Sequence, residues 1–280
     1  MKNWYLIIDI AKCENCNNCF LACKDEHVGN DWPGYAAPQP NHGPKWMNIL
    51  SKERGKYPFI DVGYLPQPCM HCDDAPCIKA AKDNAIYKRP DGIVIIDPVK
   101  AKGQKNVIAA CPNNAIWWHE DLDIPQKCTM CAHLLDTGWT KTRCVQACPT
   151  GALTILQVED SEIHKLIATE KLETYLSAYK TRPHVLYKNL YRFNRCFIGG
   201  SVVFKTDGKE ECAEGAKVTL LDAAGKKIGE QITDNYGDFK FDDLAENSGT
   251  YKLYIAYSDH EIRTIEVDLQ DSTYVGVILV

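Results

Sequence analysis

The chain has 280 residues, is 45% hydrophobic and 25% charged, and carries 32 basic against 37 acidic residues for a net charge of −5. That length suffices for two domains with cores of their own, and a near-balanced charge without a basic block argues against a nucleic-acid ligand. Its longest apolar stretches are about six residues, as in 275–280, against the roughly 20 needed to cross a bilayer. No direct membrane insertion is expected. No basic leader, apolar run and cleavage site open the sequence, so a cytoplasmic location is expected.

In chain order, Trp4 to Asp9 reads as a short apolar strand leading into Cys13, Cys16, Cys19 and Cys23, spaced C-x2-C-x2-C-x3-C. This is the run that wraps a cubane iron–sulfur cluster, three thiolates taking one cluster and the fourth reaching its neighbour. Lys24 stands where a proline usually follows. Structural zinc prefers two pairs with a long spacer, which this set lacks. Residues 26 to 66 form a Gly/Pro-rich insertion with Trp32, Tyr35 and Trp46, read as a long loop that serves a partner or covers the clusters. Cys69, Cys72 and Cys77 follow, spaced x2 and x4. Arg89-Pro90-Asp91-Gly92 is a turn signal between Ile86-Tyr87-Lys88 and Ile93 to Ile96, and so a hairpin. Cys111 precedes Pro112. Cys128, Cys131, Cys144 and Cys148 close the series, a twelve-residue insert separating the middle two. Alone, that last set also fits a zinc ribbon.

Twelve of the fourteen cysteines lie between Cys13 and Cys148, with only Cys196 and Cys212 beyond. Disulfide-dense chains are usually small and secreted; tight sets in a long chain point to metal. An internal repeat assigns them. Residues 7–23, IIDIAKCENCNNCFLAC, match residues 95–111, IIDPVKAKGQKNVIAAC, at a constant offset. Ala101, Gln104 and Val107 thus stand where Cys13, Cys16 and Cys19 stand, and Cys111 matches Cys23. CPNNAI at 111, CPTGAL at 148 and AKDNAI at 81 align likewise, placing Ala81 at a fourth-cysteine position. With cross-ligation between partner motifs, the four lost positions form one whole cluster site. The present cysteines form three sets: Cys13, Cys16, Cys19, Cys148; Cys23, Cys128, Cys131, Cys144; and Cys69, Cys72, Cys77, Cys111. Random loss would leave incomplete sets. Three [4Fe-4S] clusters are expected.

Residues 159 to 179 repeat apolar side chains at helical spacing. Residues 182 to 197, RPHVLYKNLYRFNRCF, read as a basic aromatic connector, a linker or a docking segment. From 198 the pattern alternates, with Ala216, Val218, Leu220, then Tyr251, Leu253, Ile255, then Ile265, Val267, Leu269, separated by turn signals; about seven strands read as a sandwich. Residues 197–280 hold 8 Lys/Arg and 16 Asp/Glu, so the chain's acidity belongs here. The expected class is α+β: a duplicated bacterial-ferredoxin-like iron–sulfur domain at 1–181, the connector at 182–197, and an all-β sandwich at 198–280. No nucleotide loop, nucleophile elbow or zinc-hydrolase signature is present, and no catalytic residue is assigned. His71 and His133, beside cluster cysteines, are read either as tuning cluster potentials through outer hydrogen bonds or as packing residues. Cys196 and Cys212 are read as spare thiols.

AKCENCNNCF, PCMHCDDAPC, DGIVIIDP, QKCTMCAHLLD and YKNLYRF, in a four-motif arrangement, resemble the iron–sulfur subunits of dimethyl-sulfoxide-reductase-family molybdopterin oxidoreductases. Within that family the chain is most similar to small subunits of phenol transhydroxylases. The resemblance implies a large catalytic partner holding molybdopterin guanine dinucleotide with Mo or W, and a phenolic substrate bound by that partner. The implied chemistry is hydroxylation or transhydroxylation of the pyrogallol-to-phloroglucinol type, with the present chain relaying electrons. The sandwich looks like a transthyretin or collagen-adhesin-B (Cna-B) domain. Two other readings stand beside it: the relay subunit of a respiratory reductase for an inorganic or sulfur compound, and a zinc-binding interaction protein.

Overall fold

The structure, a computed structural model, describes residues 2–260 and 262–280. The chain divides into two compact units, residues 1–51 with 64–190 and residues 52–63 with 191–280. The expected boundary after 181 and the connector at 182–197 are not where the chain divides. Residues 182–190 belong to the first unit because the strand Val185–Lys188 pairs in parallel with the first strand, Lys2–Asp9, placing Leu6 opposite Val185.

In the first unit the strand Lys2–Asp9 is central. Leu153–Glu159 pairs antiparallel on its other edge, Ile8 facing Leu153. The helix Asn18–His27 buries Cys19, Cys23 and His27, which lie four residues apart and so share one face. The turn at 89–92 forms as the sequence predicts, joining the paired strands Ile86–Lys88 and Val94–Ile96. Gly92 sits there at φ +87, and a Cβ on it would collide with the His184 ring. Glycine is therefore required both for conformation and for space.

Two expected elements differ. The helix at 159–179 stops at Glu170. Lys171 turns left-handed at φ 53, and Glu173 exchanges two backbone hydrogen bonds of 2.8 Å with Tyr187. That pairing overrides the helical periodicity, and Leu172 is buried with Tyr5, Val158, Ile163 and Leu186. The expected loop at 26–66 contains two paired strands, Asn48–Lys56 and Phe59–Gln67. Residues 52–63 of this pair belong to the second unit.

The second unit holds, among the described residues, two four-stranded sheets. In one, the long strand Cys196–Thr206 pairs with Lys209–Cys212, Asp238–Leu244 and, in parallel, Thr273–Leu279. The other runs Lys227–Ile232, Lys217–Asp222, Gly249–Ala256, Arg263–Leu269, all antiparallel. The alternation read at 216–220 and 251–255 is realised: Ala216, Val218, Leu220, Tyr251, Leu253 and Ile255 are buried in one core with Ile198, Val202, Phe239 and Phe241.

A buried ion cluster also lies in this unit. Arg54 bonds Asp61 and Asp242, Arg192 reaches Asp61 at 2.9 Å, and Lys240 reaches Asp61 at 2.8 Å and Asp242 at 3.1 Å. Burial pulls the Asp61 carboxyl up, but hydrogen bonds from Lys240 and Arg54 outweigh it and hold it far below the ordinary carboxylate range. A depressed folded-state pKa adds stability that is full above the unfolded value of about 4 and is lost as pH falls toward the folded one. The urea midpoint of the second unit should accordingly hold level from pH 7 to about 5 and fall below about 4. Asp61→Asn should flatten that fall; an equally steep fall in the variant would contradict the assignment.

Candidate metal centre

The C-x-x-C loops that begin at Cys13, Cys69 and Cys128 share a backbone device. The residue before the second cysteine is left-handed: Asn15 at φ 55, His71 at φ 47 and Met130 at φ 54. Such a turn aims its N–H groups inward. The amides of His71 and Met130 donate to Cys69 Sγ and Cys128 Sγ at 3.5 and 3.3 Å, and the Asn15 amide donates to Cys13. Ala115 N–H donates to Cys111 Sγ at 3.4 Å, and the Thr142 hydroxyl lies 3.1 Å from Cys144 Sγ. These donors favour thiolate over thiol.

Burial is the largest influence on each displaced thiol. It pushes Cys19, Cys77 and Cys128 up to about 12 and Cys72 up to about 11, with Cys23 and Cys131 well above the usual value. Cys148 is the exception. Burial raises it, but hydrogen bonds from Thr150, Leu153 and Ala152 prevail and bring it below the usual value. Beyond burial, neighbouring thiols push several of these cysteines up. Cys13 feels Cys148 and Cys16; Cys19 feels Cys144, Cys13 and Cys16. Cys23 feels Cys128, Cys131 and Cys144, and Cys131 feels Cys144 and Cys128. Cys72 and Cys77 both feel Cys69 and Cys111. Links across groups run from Cys19 to Cys144, from Cys144 to Cys148 and from Cys128 to Cys69.

A cavity is lined by Cys23, Cys128, Cys131 and Cys144 together with Cys69, His27, His71 and Trp46. A second is lined by Cys69, Cys72, Cys77, Cys111 and Lys127. Lys127 is buried and donates to Cys128 O at 3.1 Å. Among the described residues, no three or more His, Cys, Asp or Glu are grouped to hold a single metal ion. Trp46, from the long insertion, is buried with its ring 4.7 Å from that of His27. Trp32 stacks on His133 at 4.1 Å, and His133 Nε2 lies 2.9 Å from Glu26. Within the first unit Trp46 lines the cavity bounded by Cys23, Cys128, Cys131 and Cys144. Cys196 and Cys212 are in the other unit, Cys196 buried with its Sγ 3.6 Å from Asp271 and Cys212 exposed.

The erased motif keeps its backbone. Gly103, offset from Asn15 by the repeat, is left-handed at φ 75, and its N–H goes to Asp123 O at 2.8 Å. Asp9 and Asp97, also equivalent, accept from the amides two residues on, Ala11 at 3.0 Å and Val99 at 2.9 Å. Ala101 and Val107 are buried as plain core residues. Gln104 fastens the two halves of the lost site: Oε1 accepts from Lys82 N–H at 2.8 Å, and Nε2 donates to Lys82 O at 3.3 Å and Lys100 O at 2.8 Å. Lys82 adjoins Ala81, so the Gln104 side chain ties together two of the positions at which the repeat lacks cysteine. Gln104→Ala should destabilise the unit by about 1–2 kcal/mol, since net hydrogen bonds contribute about 0.5–1.5 each. Urea unfolding would show it, with iron content unchanged; a loss of iron would contradict a purely structural role.

A family model described as a 4Fe-4S dicluster domain matches residues 60–158. The pyrogallol hydroxytransferase small subunit of Pelobacter acidigallici is 41% identical over 100% of this chain and 96% of its own. A dimethyl sulfoxide reductase iron–sulfur subunit of Halobacterium salinarum is 32% identical over 68% of this chain and 80% of its own. A tetrathionate reductase subunit of Salmonella typhimurium is 30% identical over 66% and 72%. Among solved structures, the 5-hydroxyisourate hydrolase of Klebsiella pneumoniae aligns with 30% of this chain and 89% of its own, at 18% identity and a TM-score of 0.25. The chain belongs to the iron–sulfur electron-transfer subunits of dimethyl-sulfoxide-reductase-family molybdopterin oxidoreductases. These relatives are named as subunits of larger enzymes. Among the described residues, no helix is long and apolar enough to cross a membrane.

Proposed function

We propose that the chain holds three [4Fe-4S] clusters and relays electrons for a large subunit that hydroxylates or transhydroxylates a phenol, of the pyrogallol-to-phloroglucinol type. The ligand sets are Cys13, Cys16, Cys19, Cys148; Cys23, Cys128, Cys131, Cys144; and Cys69, Cys72, Cys77, Cys111. The observation that carries the cluster count is the repeat between residues 7–23 and 95–111, which leaves twelve cysteines in three sets of four, two of them gathered around cavities, Cys23, Cys128, Cys131 and Cys144 around one and Cys69, Cys72, Cys77 and Cys111 around the other. Soft thiolates with N–H donors around a dry cavity suit an iron–sulfur cluster. Zinc would draw its sulfurs to about 2.3 Å from one point, and no such single-ion grouping exists among the described residues.

Bound in this way, each cluster supplies a one-electron step. The chain's own residues supply the thiolates, the N–H donors and the exclusion of water by Trp46, Met47, Leu6 and Met130 around the middle set. The relay order runs from the Cys13 set through the Cys23 set to the Cys69 set. Cys16 is exposed, which gives the first set a surface end. With four thiolates on each cluster no iron is open to substrate, so catalysis and the molybdopterin guanine dinucleotide with Mo or W belong to the partner. The first unit, with its 88-residue offset between residues 7–23 and 95–111, is a duplicated ferredoxin-like module. The second is a transthyretin- or Cna-B-type accessory sandwich.

The phenolic substrate class rests on likeness. The pyrogallol hydroxytransferase subunit matches the whole chain, second unit included, whereas the two relatives named for sulfur compounds match 68% and 66% of it. Anaerobic purification of a tagged chain tests this. A larger molybdopterin-containing partner with phenol-dependent activity should come with it; a partner active only on sulfur or inorganic oxyanions would overturn the substrate class.

A further inference from the structure

His71 is fully buried, at 0% exposure, on the loop between Cys69 and Cys72. Its Nδ1 accepts a 3.0 Å hydrogen bond from the backbone N–H of Val94. A ring nitrogen that accepts an N–H carries no proton, so the ring is neutral and its proton sits on Nε2. That Nε2 has no hydrogen-bond partner among the described residues. A buried donor without a partner is rare in a native fold and calls for a missing acceptor. The chain's other demands on this residue are met: its carbonyl accepts from Lys88 Nζ at 3.0 Å and its amide points at Cys69 Sγ.

The missing acceptor is indicated by the surroundings. His71 lines the cavity bounded by Cys23, Cys128, Cys131 and Cys144, the middle set, although it sits in the loop that supplies Cys69 and Cys72 to the neighbouring set. We propose that His71 donates an Nε2–H···S hydrogen bond to the cluster held by Cys23, Cys128, Cys131 and Cys144. His71 is then a positioning residue for electron transfer. Its backbone amide serves one cluster and its ring the next, so the two are tied through one rigid residue. A donor on cluster sulfur stabilises the more negative, reduced form and raises that cluster's potential. The inference rests on the three-cluster reading and extends it to a named residue.

The test uses the complete complex, purified anaerobically, with iron and sulfide counted in each sample. His71→Leu removes the donor; His71→Gln keeps an amide N–H at similar reach. In an EPR-monitored redox titration, His71→Leu should lower the potential of one cluster by about 59 mV, a tenfold change in a one-electron equilibrium. The other two should keep theirs, and His71→Gln should restore most of the shift. Independently of any variant, pulsed EPR of the reduced wild-type complex labelled with 15N-histidine should show nitrogen coupling to one cluster. Three clusters with unchanged potentials in His71→Leu, or no histidine coupling in the wild type, would overturn the hydrogen bond alone. Iron and sulfide for fewer than three clusters in the wild type would overturn the underlying reading and this inference with it.

Discussion

Replacing Cys131 with serine should take about four of about twelve iron atoms from the chain, one cubane of three. Cys131 is buried beside Cys23, Cys128 and Cys144, and the two spare cysteines belong to the other unit. On the proposed relay the lost cluster is the middle one, so electron delivery through the complex should fall with it. Cys196→Ser and Cys212→Ser are the controls and should leave iron, sulfide and EPR signals unchanged. Iron analysis and EPR of the purified complex check both. A Cys131→Ser chain that keeps all its iron would contradict the assignment.

Arg54→Met should destabilise the second unit by about 3–5 kcal/mol, the usual cost of removing one partner from a buried ion pair. The Arg54 side chain is 1% exposed. Its guanidinium bonds Asp61 and both carboxylate oxygens of Asp242 at 2.7 and 3.2 Å, and reaches the Arg195 carbonyl at 3.2 Å. It also lies 5.5 Å from the centre of the Phe197 ring. Removal leaves two half-buried carboxylates beside Lys240 and Arg192. At about 4 °C or more per kcal/mol for a unit of this size, Tm should fall by roughly 12 °C or more. Lys252→Met breaks only an exposed pair with Glu266 and should leave Tm unchanged. Thermal unfolding of the full chain followed by circular dichroism separates the two, and equal small effects would contradict a buried ion cluster.

The parts of this molecule that depend on local spacing were legible in the sequence. The repeat between residues 7–23 and 95–111 has a backbone counterpart, the left-handed angle at both Asn15 and Gly103, and the same angle recurs at His71 and Met130. Alternation predicted the core strands at 217–222 and 249–256 because one face of each is buried. Features that depend on long-range pairing were not legible. Val185–Lys188 looked like a connector because a four-residue strand has too short a pattern, and its partner lies at the other end of the first unit's sequence. Residues 48–67 hid two strands because their burial follows no clean alternation. The buried Arg54 carried no signal, since an arginine reads as surface until its two carboxylates are found. Gln104 was seen as a lost ligand; that its side chain fastens the empty site needs the fold to bring residue 82 beside it. His71 was noted for its place between two cysteines, but which of its nitrogens is free depends on Val94.

Counting iron and acid-labile sulfide, together with EPR spin quantitation, in the anaerobically purified complex tests the central claim most directly. The account predicts about twelve of each per copy of this chain and three reducible cubane clusters. About eight of each, about sixteen, or zinc without sulfide would contradict it.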